Sequence, residues 1–183
     1  FENWRSMQSY LNGRTDAAKD LVRFYYADKE DMFDLVSYQK GGRVLHMLRI
    51  YVGDDAFFKS LNKYLTDNKF GNGSAHKLRL AFEAITGKDL NWYFNQWYFG
   101  SGHPKLDISY NYNADEKKAA VYIKQTQEKL FQLPMAVDVY EGANKKRYMI
   151  WASNKNDTFY FPANTKPDLI NVDAEKITLA EKK

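Results

Sequence analysis

The sequence predicts an α+β chain in two segments: helices over residues 1–102, then a small antiparallel β-sandwich over 103–183. Three observations carry this. Apolar residues recur at helical spacing up to Phe99, and they alternate with a period of two after Pro104. Between the two regimes lies the breaker run Gly100-Ser101-Gly102-His103-Pro104, which marks the boundary.

Taken in order, Thr15 or Asp16 is placed to cap a helix through Tyr26, with Leu21, Phe24 and Tyr25 on its inner face. Asp28-Lys29-Glu30-Asp31 is a charged connection leading through Met32-Phe33 to Tyr38. From Tyr38 the spacing of Val44, Leu45, Leu48, Tyr51 and Val52 predicts a helix that stops at Gly53. Asp54 is the expected cap of the next helix, with Phe57, Phe58, Leu61, Tyr64 and Leu65 in period. After the turn Lys69–Gly73, Ser74 opens a helix through Leu78, Phe82 and Ile85 to Gly87. Asp89 opens a fourth, Leu90–Phe99. Its Trp92, Tyr93, Phe94, Trp97 and Tyr98 leave almost no polar face, so it is expected to be buried.

Beyond Pro104, Leu106, Ile108, Tyr110 and Tyr112 alternate with polar residues, as do Ala119, Val121 and Ile123, which predicts a hairpin. Leu133 to Val139 and Arg147 to Ala152 form a second pair around Glu141-Gly142-Ala143-Asn144. Further strands are expected at Thr158–Phe161, Leu169–Val172 and Lys176–Leu179.

Composition excludes several classes of function. The 27 Lys+Arg and 23 Asp+Glu divide into 14 and 12 ahead of His103 and 13 and 11 from it onward, with no basic block. Nucleic acid is therefore not an expected partner. Without cysteine there are no disulfides, thiolate metal sites or cysteine nucleophiles. No apolar run approaches the ~20 residues that span a bilayer. A start at Phe1 predicts a processed or excised piece, with any leader upstream.

Few residues carry the pattern of chemistry. His46, His76 and His103 include no pair at the His-Glu-x-x-His spacing of a zinc helix. His46 reads as a packed or rim residue, His76 as solvated and His103 as linker. No Gly-x-Ser-x-Gly elbow or phosphate loop occurs. Asp54-Asp55 and Glu30-Asp31 are adjacent carboxylates whose side chains diverge. Tyr38 remains. It heads Ser37-Tyr38-Gln39-Lys40-Gly41-Gly42, where glycines permit a close backbone approach and a held phenol can donate a hydrogen bond into a cleft.

An ordered series of motifs adds to this. Ser37-Tyr38-Gln39-Lys40-Gly41-Gly42, Leu45-His46-Met47-Leu48-Arg49, Gly53-Asp54-Asp55-Ala56-Phe57-Phe58 and Phe70-Gly71-Asn72 come first. Thr86-Gly87-Lys88-Asp89-Leu90, Phe94-Asn95-Gln96-Trp97 and Gly102-His103-Pro104 follow in the same order. Over about residues 32–112 the chain closely resembles the aminopeptidase N-type zinc metallopeptidases, or gluzincins. The resemblance implies that residues 1–102 are the C-terminal part of a thermolysin-like catalytic domain, and that a β-sandwich follows it.

It also implies removal of N-terminal residues from peptides at one zinc. The family's His-Glu-x-x-His and its Gly-x-Met-Glu-Asn loop are both absent here, and both normally lie upstream of the Tyr-x-Lys-Gly motif. Zinc is accordingly expected in the parent protein, with no metal or cofactor bound by this chain. Its expected partners are the upstream catalytic half and, for the parent, peptides with a free N-terminus. By resemblance Tyr38 is the one catalytic residue that carries over, hydrogen-bonding the oxyanion formed as water attacks the scissile carbonyl at the zinc. Gln39 replaces a glutamate common in the family; Lys40 and the glycines are read as support.

Alone, the chain is expected to be inactive. The alternative is a non-catalytic peptide-binding or scaffold module of a degenerate member; a His-Glu-x-x-His immediately upstream of Phe1 decides against it. A third reading, a carbohydrate- or protein-binding sandwich using Tyr110, Tyr112 and Trp151, has support from the fold alone.

Overall fold

A computed structural model describes residues 2–13 and 18–183, with side chains described from residue 5 onward. Thr15 and Asp16, the expected helix caps, lie outside the described residues. The chain folds as two compact units, residues 1–102 and 103–183.

In the first unit α1 (Glu2–Asn12) buries Met7 and Tyr10, three residues apart on one face. The helix expected up to Tyr26 is absent over its described part; residues 18–28 run through turns and bends. The Val22 N–H donates to Tyr98 O at 2.8 Å instead of back along a helix. Phe24, Tyr25 and Tyr26 are 74%, 98% and 57% exposed, so two of the three residues expected to face inward point out. Tertiary hydrogen bonding wins here over local periodicity.

A short 3₁₀ turn (Lys29–Met32) leads to a π-helical turn (Val36–Lys40) that runs directly into α2 (Gly41–Val52). Val44 and Leu48 form its buried stripe, and Gly53 ends it at φ 85°. Asp54 does not cap α3 (Asp54–Asp67); it is the helix's first residue. Gly53 takes the junction itself. Its N–H donates to Arg49 O at 2.8 Å and its carbonyl accepts from Phe57 N–H at 2.9 Å. The Asp54 carboxylate is thereby free to pair with Arg49, at 2.8 and 2.6 Å.

Ser74 caps α4 (Ala75–Thr86) by accepting the Lys77 N–H, and Gly87 closes it in the left-handed region at φ 66°. Asp89 accepts the Asn91 N–H at 2.8 Å just ahead of α5 (Asn91–Trp97). Tyr93, Phe94 and Trp97 are buried, as the all-round aromatic pattern requires. The Tyr93 hydroxyl donates to Val44 O at 2.6 Å, which satisfies the one polar atom that ring takes into the core. Phe57 and Phe82 join α3 to α4 edge to face, with centroids 5.5 Å apart.

The second unit is a two-sheet sandwich. The strands are β1 (Lys105–Asn113), β2 (Lys118–Gln125), β3 (Leu133–Glu141), β4 (Asn144–Ala152), β5 (Asn156–Pro162), β6 (Leu169–Val172) and β7 (Glu181–Lys182). One sheet has the order β5-β2-β1-β7 and the other β4-β3-β6. Every pairing is antiparallel except β1 with β7. In β2 and β3 the alternation predicts burial well: Ala119, Val121 and Ile123, and Leu133, Met135, Val137 and Val139, all face the core. Tyr148 and Phe161 meet across the two sheets with centroids 4.7 Å apart.

Two expectations fail in this unit. The strand expected at Lys176–Leu179 is a loop, because the Asp173 carboxylate takes the Ile177 and Thr178 N–H groups at 2.9 and 3.1 Å. A strand forms later, at β7. His103, expected in a linker, is 7% exposed, with Nε2 2.8 Å from Glu181 Oε1.

Candidate functional site

Tyr38 lies in the π-helical turn, and 59% of it is exposed. Such turns widen the helix by one residue and recur at functional sites. Leu35, at φ −62° and ψ −24°, is already helical, so the residue that caps this helical stretch is Asp34. Its Oδ1 accepts the Ser37 N–H at 2.9 Å, and its carbonyl accepts the Tyr38 N–H at 3.2 Å. On this count Phe33 is the residue before the cap and Tyr38 the fourth helical residue. Their rings are 6.2 Å apart, which is the hydrophobic-staple arrangement.

Asp34 is gripped from a second side. Arg23 donates from Nη1 to Oδ2 at 2.5 Å and from Nη2 to Oδ1 at 3.2 Å, while Nη2 also reaches Ser37 Oγ at 2.9 Å. Lys19 Nζ adds a contact to Oδ2 at 3.2 Å. Partial burial would raise the Asp34 pKa, but hydrogen bonds from Arg23, the Ser37 N–H and Lys19 together hold its carboxyl well below the usual carboxylate range. Both side chains of the Arg23–Asp34 pair are largely enclosed.

Lys40 is fully buried and donates from Nζ to Gly100 O at 2.9 Å, which ties the turn to the chain beyond α5. The glycines differ. A Cβ at Gly41 would lie 3.4 Å from Leu21 Cδ1 and 3.6 Å from Val36 O, whereas one at Gly42 would meet nothing within 4 Å. A methyl at Gly41 would make ordinary contact on two sides and one at Gly42 none, so the expected close backbone approach is found at neither.

Within the helical unit, His46 and His76 have separate surroundings. His46 is half-buried on α2, and burial followed by the Arg43 and Arg49 charges lowers its pKa. His76 is exposed and stacks on Phe99 at 4.9 Å. Among the described residues no group of three or more His, Cys, Asp or Glu could hold a metal ion.

The arrangement presents one phenolic O–H toward solvent from a capped, stapled and cross-tied helix start. Chemically, a phenol is a hydrogen-bond donor. Sequence reading missed Asp34, Arg23 and Phe33. The signal available was local: Phe33 and Asp34 stand two residues and one residue ahead of the helix start, where staple and cap belong.

Residues 10–97 match the family model described as the Peptidase family M1 domain. Tricorn protease-interacting factor F2 of Thermoplasma volcanium is 34% identical over 100 residues, covering 55% of this chain and 12% of that protein. Leucyl aminopeptidase of Saccharolobus solfataricus is 26% identical over 145 residues, 78% of this chain and 18% of its own length. The crystal structure of Legionella pneumophila aminopeptidase A in complex with aspartic acid superposes with a TM-score of 0.80 at 17% identity. The match covers 97% of this chain and 21% of that one, and supports the α+β fold. The chain thus spans less than a fifth of the curated relatives just named, and the residues that the family model matches lie in the helical unit that carries Tyr38. Residues 10–97 thus carry a sequence similarity to peptidase family M1, and the structural likeness adds the fold.

Proposed function

We propose that this chain is part of a zinc-dependent aminopeptidase, which hydrolyses N-terminal residues from peptides, and that Tyr38 stabilises the oxyanion of that reaction. Residues 1–102 are then the C-terminal part of the catalytic domain, and residues 103–183 the sandwich that adjoins it. Zinc is implied by the family. On this reading its ligands are those of the His-Glu-x-x-His motif, which the resemblance places upstream of the Tyr38 motif, and the chemistry below is that of Tyr38.

The observation that carries the reading is the exposed Tyr38 phenol on a turn fixed at Asp34, Phe33 and Lys40. Attack on an amide carbonyl moves negative charge onto its oxygen. A neutral O–H already in place stabilises that charge without reorganising as it develops. The phenol donates a hydrogen bond and keeps its proton, so the role calls for position more than acidity.

In the full-length protein that carries this chain, Tyr38→Phe removes the donor and keeps the ring. The expected result is a loss of ~10²–10³ in kcat on an aminoacyl anilide, with an unchanged melting temperature. Retained turnover takes Tyr38 out of the reaction. The 183-residue chain alone is expected neither to cleave the anilide nor to hold zinc after dialysis. Stoichiometric, tightly held zinc measured in it by elemental analysis refutes the assignment of ligands elsewhere.

A further inference from the structure

The Arg23–Asp34 pair has no place in the reaction as proposed, yet it is built into the turn that carries Tyr38. We infer that Asp34 and Arg23 are positioning residues for Tyr38, setting the direction in which its phenol leaves the helix; this rests on the reading of Tyr38 as oxyanion donor. A side chain that is 59% exposed has few contacts of its own to aim it. Its aim has to come from the backbone and ring beneath it, and donors to an oxyanion act only when held within tenths of an ångström of their place.

Asp34 controls both. Its side chain takes the Ser37 N–H and its carbonyl takes the Tyr38 N–H, so one residue sets where the helix begins and how the next turn winds. Phe33, immediately before it, props the Tyr38 ring at 6.2 Å. Arg23 then locks the cap by holding both carboxylate oxygens and the Ser37 hydroxyl with one guanidinium. Its planar fork makes that grip directional, which a lysine's single ammonium cannot reproduce. Arg23 itself hangs from a fixed point, since the neighbouring Val22 N–H is bonded to Tyr98 O.

The test measures kcat and KM separately in the full-length enzyme for Asp34→Asn, Asp34→Ala and Arg23→Lys, each with and without Tyr38→Phe. Asparagine caps a helix about as well as aspartate but loses the charge that holds Arg23. Asp34→Ala is expected to lower kcat on the order of ten- to a hundredfold with KM little changed. Asp34→Asn and Arg23→Lys should lose less. In the Tyr38→Phe background the same changes should cost almost nothing more, because they act through the missing hydroxyl.

An unchanged kcat in Asp34→Ala overturns the inference, and so does an equal loss in both backgrounds. If Asp34→Ala does not fold, Arg23→Lys carries the same comparison. If Tyr38→Phe keeps its turnover, the oxyanion reading fails separately, and 3-fluorotyrosine at position 38 decides for the pair. A fluorine resonance that shifts or broadens in Arg23→Lys supports positioning; one that does not move overturns it.

Discussion

Each unit of the molecule contains a largely enclosed aspartate gripped by an arginine, and the two pairs differ in what they hold. In the sandwich, Asp138 and Arg147 are directly opposed on β3 and β4, with Nε–Oδ1 at 2.6 Å and Nη2–Oδ2 at 2.7 Å. Glu175 and Lys145 extend that cluster. The pair joins two strands whose backbones are already paired along their full length, so it reinforces a structure other bonds would keep. In the helical unit, Arg23 and Asp34 join an irregular segment to the first turn of a helix, where few backbone hydrogen bonds cross between the two. Removing a redundant tie changes stability. Removing one that sets a direction changes whatever points along it.

The sharpest way to break this contrast is to make the same lesion in both units. Beside the ten- to hundredfold kcat loss expected of Asp34→Ala, Asp138→Ala is expected to cost about 2 kcal/mol of stability. The cost arises because Asp138 is 1% exposed and Arg147 loses its forked partner. In the full-length enzyme the kcat of folded Asp138→Ala should stay at the wild-type value. Denaturant titration and steady-state kinetics on the same preparation check both halves, and a kcat loss in Asp138→Ala would erase the distinction between the pairs.

Acid offers a second, gentler comparison. Hydrogen bonds and charge from Arg147 and Lys145 lower the Asp138 pKa against a smaller burial effect, and Asp34 is lowered further still. Both folded values lie below the ordinary aspartate value of 3.8. In that window the unfolded chain binds more protons than the folded one, so stability falls as the pH falls. Their contribution is fully present above about pH 5 and is lost on descending through 3.8 toward the folded values. Urea titrations between about pH 2 and 6 should therefore show a shallower acid slope for Asp34→Asn and for Asp138→Asn than for the wild type. An identical slope in either variant would mean that its pair contributes nothing to folding.

What is legible in the sequence follows the same division between repeated and singular contacts. The period of 3.6 marks α2, α3 and α4, and the period of two marks β1 to β3, because each repeats one environment along the chain. Residues 18–28 depart from their helical pattern because the forces on them are singular: one N–H given to Tyr98 and one guanidinium given to Asp34. Lys176–Leu179 departs from its strand pattern for a similar reason, its N–H groups going to one carboxylate. Gln125, at the end of β2, is fully buried, with its amide bonded to both the N–H and the carbonyl of Phe131. Of the site, the sequence marks Tyr38 itself. The Arg23–Asp34 pair spans eleven residues with no period, and only Phe33-Asp34 as a local staple-and-cap pattern hints at it.

The smallest expected effect tests how much of the turn's own sequence is needed to hold it. If Asp34, Phe33 and Lys40 fix the start of α2, the glycine pair that follows need not. Gly41 has neighbours at 3.4 and 3.6 Å, so an added methyl there meets contact on two sides. Gly42 has none within 4 Å and sits in a regular helix at an ordinary helical backbone conformation. Gly42→Ala should therefore raise stability by ~0.5–1 kcal/mol, since alanine loses less conformational freedom on entering the helix. Thermal melting would show the gain, and kcat in the full-length enzyme should not move. A destabilised Gly42→Ala would mean that something outside these 183 residues packs against that bare backbone position. A stabilised variant with lost turnover would mean that the freedom of Gly42, and not the tie at Asp34, sets the aim of Tyr38.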